Sequence, residues 1–153
     1  MAVPRHFRLE RVLRLREQRE KELQGQLARA YQQQVEQQTL LGRMEDNRAR
    51  QIELITHELT SDRVEMTYVQ FGGAYLERLQ SLIDRQSNVV KQASRVTDRK
   101  RVEVHQAMKA RKVIEKLREH WRGDVVEEDR QREIKTIDEI STVSYNRRRQ
   151  GVG

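Results

Sequence analysis

The chain has 153 residues, of which 36% are charged and only 35% apolar, with two Phe, one Trp, no Cys and a formal net charge of +7. So little apolar material excludes a thick globular core, and the lack of cysteine excludes disulfides, thiolate chemistry and cysteine-based zinc sites. The mixed signs of the charges and the dominance of Ala, Leu, Glu, Gln, Arg and Lys, all strong helix formers, favour helix over disorder.

At the start of the chain, Arg5, Arg8, Arg11 and Arg14 interrupt the apolar stretch a signal peptide needs. No run anywhere reaches the ~20 apolar residues of a membrane span, so a soluble, cytoplasmic protein is expected. Pro4 is the only proline, and from Arg5 to Leu59 the pattern is helical throughout. Leu9, Leu13, Leu23, Leu27, Ala30, Leu41, Met44, Ile52, Ile55 and Leu59 fall mostly at helical spacings, whereas Glu20, Gln34 and Arg48 occupy places where a strict heptad calls for leucine. The apolar seam is therefore interrupted. Gly25 and Gly42 weaken the helix by about 1 kcal/mol each relative to Ala.

Thr60, Ser61 and Asp62 are good capping residues, and Asp62 with Glu65 has the spacing of a capping box, which places the turn here. Gly72 and Gly73 form a second weak point and allow a short separate helix over residues 63–71 near the tip. The apolar rhythm resumes with Leu76, Leu79, Leu82, Ile83, Val89, Val90, Ala93, Val96, Val104, Ala107, Ile114, Leu117 and Trp121. Pairing about the turn sets Leu41 near Leu79 and leaves the chain beyond about residue 116 without a partner arm. Gly123 and Asp124 mark a kink, Ile134, Ile137, Ile140 and Val143 continue a thin stripe, and Arg147, Arg148, Arg149 and Gln150 lead into a frayed end. The expected fold is all-α, a single elongated antiparallel two-helix coiled-coil hairpin. Its arms cover residues 5–59 and 74–146, joined by a turn and tip segment at 60–73 and followed by a tail at 147–153.

Nothing in this pattern builds a reaction centre. His6, His57, His105 and His120 are scattered without a ligand spacing, and there is no glycine-rich phosphate loop, so no catalytic, metal or cofactor-binding residue is assigned and no small-molecule ligand is expected. From Arg95 to Arg118, nine basic residues (Arg95, Arg99, Lys100, Arg101, Lys109, Arg111, Lys112, Lys116, Arg118) face three acidic ones (Asp98, Glu103, Glu115). Without interleaved aromatics this stretch suits an acidic protein face, or a plain solvated helix face, better than nucleic acid. The densest aromatic and apolar group, Tyr68, Phe71, Tyr75, Leu76 and Leu79, lies near the turn, where it can pack the tip or serve as an interaction hot spot. Trp121 keeps step with Ile114 and Leu117 as a seam residue near the end of the paired region.

Four segments in order resemble the FliJ family, the small coiled-coil protein of the flagellar type III export ATPase complex. They are Phe7, Arg8, Leu9, Val12, Leu13, Leu15, Arg16, Glu17 and Glu20; Tyr75, Leu76, Leu79 and Ile83; Ala110 through Leu117; and Glu133, Lys135, Ile137, Asp138 and Glu139. The resemblance implies a non-enzymatic stalk that promotes ATPase ring assembly and links the ring to the export gate, a membrane protein with a cytoplasmic domain, and to export chaperones. It implies a cytoplasmic protein peripherally associated with the inner-membrane export apparatus. It also implies an ATPase-binding terminal coiled coil of Phe7, Leu9, Leu13, Arg16, Ile114, Leu117 and Trp121, and a gate-binding patch of Leu41, Tyr68, Phe71, Tyr75, Leu76 and Leu79. The alternative is a basic coiled-coil protein that binds nucleic acid or scaffolds other proteins.

Overall fold

A computed structural model describes residues 2–151. Two α-helices, α1 (Glu10–Leu59, 50 residues) and α2 (Met66–Gly151, 86 residues), pack against each other as an all-α hairpin, with no strand among the described residues. Both helices pass through two compact units, a terminal unit of Met1–Glu20 with Ala107–Gly153 and a turn unit of Lys21–Gln106.

The seam is thin, as the interrupted leucine pattern requires. Among the described residues, the buried apolar side chains of the turn unit are Leu23, Ala30, Leu79 and Ile83, and in the terminal unit only Leu13 reaches this state. Polar side chains fill the gaps, and the buried Glu20, Gln86 and Thr97 are satisfied locally, because a buried polar group without a partner costs about 1–3 kcal/mol. Gln86 donates through Nε2 to the Gln37 side-chain oxygen at 2.8 Å and to the Gln37 carbonyl at 3.1 Å, and the buried Thr97 hydroxyl donates to the Ala93 carbonyl at 3.0 Å. Gln34 lies half-buried with its Oε1 unpartnered, a defect in the seam at one of the positions where leucine was missing.

The turn falls where the capping residues stand, by a different device from the expected box. The Ser61 hydroxyl donates to the Glu58 carbonyl at 2.7 Å and the Thr60 hydroxyl to the His57 carbonyl at 2.9 Å, which close the end of α1. The Glu65 amide donates to the Glu58 carboxylate at 3.0 Å rather than Asp62 and Glu65 bonding each other. The Glu65 carbonyl then accepts from the Val69 amide, so α2 begins at Met66.

Consequently residues 66–71 are the first turns of α2 and not a separate helix, and Gly72 and Gly73 are helical. Gly72 is needed for space. A Cβ there would stand 2.7 Å from Ile55 Cδ1, so the glycine lets α1 approach closely. Gly123 and Asp124 likewise lie within continuous α2, where a single glycine costs only about 1 kcal/mol. Residues 147–151 continue α2 with their side chains exposed, and Val152 and Gly153 of the expected tail lie outside the described residues.

Candidate interaction surfaces

The terminal unit closes in a way periodicity did not anticipate. Helix α1 starts at Glu10 rather than Arg5, and the preceding residues form a non-helical strap against α2. A non-helical chain advances up to ~3.3 Å per residue against 1.5 Å in a helix, so a few strap residues keep pace with many residues of α2. Pairing therefore extends past residue 116 to Asp129.

Among the described residues, four contacts hold the strap. The Trp121 indole Nε1 donates to the Pro4 carbonyl at 2.7 Å, and the Phe7 and Trp121 rings lie 5.7 Å apart in a tilted arrangement. The Val3 amide donates to Glu128 Oε2 at 2.8 Å, and the Arg5 guanidinium donates to both Asp129 oxygens at 2.9 and 3.2 Å. The hydrogen bond from Arg5 holds the Asp129 carboxyl below its ordinary range, with the Arg5 charge adding to the effect.

Deeper in this unit, Glu20 fills a leucine-like position because Arg111 reaches across from α2 to meet its carboxylate. Arg111 also contacts Glu115, and these carboxylates raise it above its already high ordinary value, Glu20 foremost. Arg118 lies 3.5 Å from Glu10. Lys100 likewise donates to Gln26 Oε1 of α1 at 2.9 Å, so among the described residues three of the nine basic residues in the Arg95–Arg118 stretch are internal ties.

Of the residues expected to form the terminal coiled coil, Leu13 is buried at 1% exposure; Phe7, Leu9, Ile114 and Trp121 are half-buried; Arg16 and Leu117 face solvent. The group expected near the turn divides differently. Leu79 is part of the turn unit's core, and Leu41 and Leu76 are half-buried. Tyr68, Phe71 and Tyr75 are exposed, Phe71 to 75%. Tyr75 is held in place, its hydroxyl accepting from Asn47 Nδ2 at 2.9 Å. Leu59, Val64 and Met66 are also exposed around the turn, so the apolar surface there is wider than the aromatic cluster alone suggested.

The family model for the flagellar FliJ protein matches residues 5–150 of this chain. The chain belongs to the FliJ family. Membership makes it a flagellar export-related protein, of a family that is non-catalytic and part of the export apparatus. No curated protein and no solved structure matches this FliJ-family chain significantly. Among its described residues no helix is long and apolar enough to cross a membrane, and no three His, Cys, Asp or Glu side chains gather as a metal site. The hollows along its surface, such as the one lined by Val3, Asp124 and Gln131 beside the strap, are open to solvent.

The strap contacts and the Glu20–Arg111 pair were missed from sequence because neither follows a helical repeat. Pro4, which disfavours helix around it, was the available signal for the strap.

Proposed function

We propose that this chain is the non-enzymatic stalk of the flagellar export ATPase complex, at the cytoplasmic side of the inner membrane. In this reading the terminal unit enters the ATPase ring and promotes its assembly. The exposed aromatics near the turn engage the cytoplasmic domain of the export gate, and export chaperones use the remaining surface. The observation that carries the reading is a family match over residues 5–150 on a two-helix hairpin. A stalk transmits force or order only if its ends are well fixed, and the strapped, ion-paired terminal unit supplies a defined end.

Turnover of the purified export ATPase tests the ring assignment. The full chain should stimulate it, and Leu9→Ala with Leu13→Ala should reduce the stimulation; equal turnover with and without the chain would refute the assignment. Binding to the gate's cytoplasmic domain tests the other surface. Phe71→Ala with Tyr75→Ala should abolish it while helix content is retained, and undiminished binding would remove these residues from the gate contact. Leu79 is unsuitable for this test because its truncation would disturb the core.

A further inference from the structure

The net charge is unevenly placed. The terminal unit carries 18 Lys and Arg against 12 Asp and Glu, a net +6, whereas the turn unit carries 13 against 12, a net +1. Within the terminal unit α2 turns its basic residues in two directions. Arg111 and Arg118 reach the carboxylates of α1. Lys109, Lys112 and Lys116 are exposed, and no hydrogen bond or ion pair engages them among the described residues. Their spacing of i, i+3 and i+7 puts them on one helix face, with exposed Val113 between them and His120 continuing the row. The Glu115 carboxylate is drawn off this face by Arg111, and Glu119 borders it at one edge.

We infer that this lysine row is a docking surface for an acidic protein face. An unneutralised row of like charges costs self-repulsion and is relieved by a partner of opposite sign. The chemistry of the row selects among anionic partners. Base stacking requires aromatic side chains, and the nearby Trp121 is turned to the strap. Insertion into a lipid interface requires a broad apolar face, and here only Val113 and its i+4 neighbour Leu117 stand exposed beside the lysines. Carboxylates on a protein surface need neither, and lysines with a narrow apolar contact fit them. The inference rests on the stalk reading only for the identity of the partner, which would then be a set of carboxylates on the ATPase ring.

The test compares three full-length proteins: the wild type, a row variant (Lys109→Gln, Lys112→Gln and Lys116→Gln), and a control that removes three charges from the turn unit (Arg43→Gln, Arg48→Gln and Arg50→Gln). Circular dichroism should show equal helix content. Binding is measured at rising ionic strength to purified export ATPase, a polyglutamate peptide, phosphatidylglycerol vesicles and single-stranded DNA. The row variant should bind the ATPase and polyglutamate about tenfold more weakly than the wild type at low salt, with a flatter salt dependence, while the control changes little. Equal weakening by both variants would reduce the effect to net charge and overturn the inference, as would unchanged binding of the row variant or tighter row-dependent binding to vesicles or DNA. If the ATPase does not bind but polyglutamate does in a row-dependent way, the stalk reading falls and the acidic-face inference stands. If neither binds the wild type, the inference is overturned.

Discussion

The two units solve the same packing problem with different chemistry. In the turn unit, gaps in the leucine seam are filled by Gln37, Gln86 and Thr97 around Leu23, Ala30, Leu79 and Ile83. In the terminal unit, one buried leucine is supplemented by the Glu20–Arg111 pair and by a strap anchored on Trp121 and Asp129. The difference teaches that a helical pair poor in apolar residues can be closed by neutral hydrogen bonds or by charge. Closure by charge leaves the terminal unit more exposed to changes in salt, pH and single-partner truncation.

The comparison breaks most sharply at the buried leucines. Leu13→Ala should cost about 2–4 kcal/mol and raise hydrogen exchange in the terminal unit first, and Leu79→Ala should cost a similar amount and act first in the turn unit. Exchange rising uniformly in both variants would mean that the units do not open separately. Next in size is Gly72→Ala. Forcing a methyl group against Ile55 should cost about 1–3 kcal/mol in chemical denaturation, and a neutral or stabilising outcome would show that α1 can move aside.

Glu20→Gln should cost on the order of 1–2 kcal/mol, less than a fully buried pair because Arg111 retains Glu115 and remains partly solvated. Added salt should narrow the gap between this variant and the wild type, whereas a Gln86→Ala variant in the turn unit should show no such narrowing. A gap that ignored salt in both cases would remove the contrast between charged and neutral closure.

The smallest effect concerns the strap. Because Asp129 is held below the ordinary carboxyl range, its pair with Arg5 is fully formed above that range and is lost only as pH falls through the depressed value. Fluorescence of Trp121, the single tryptophan, should report a strap transition at acidic pH, and Asp129→Asn should remove the Asp129 part of that step. A pH response unchanged by the substitution would show that the Arg5–Asp129 pair does not hold the strap, leaving it to Trp121, Pro4, Phe7 and the Val3–Glu128 hydrogen bond.

Much of the architecture was legible in the order of residues. The helical spacing from Leu13 to Leu59 and from Leu76 to Trp121, with Thr60, Ser61 and Asp62 between them, specified two long helices and the position of their turn, because periodicity and capping are local properties. Glu20 and Gln34 were recognisable as gaps for the same reason. The terminal and tip residues were legible as apolar or aromatic, but their exposure was not: Leu79 and Phe71 share one cluster in the sequence and differ as core and surface in the fold.

What the sequence determined by itself was therefore helix, turn, the thinness of the seam and the family resemblance, all carried by short-range pattern and composition. Only the tertiary structure decided that Gly72 makes room for Ile55, that Arg111 completes Glu20, and that the first residues leave the helix to reach Glu128 and Asp129. These depend on which groups meet across the chain, 91 residues apart for Glu20 and Arg111 and 125 for Val3 and Glu128, a matter of reach and register that no local repeat encodes.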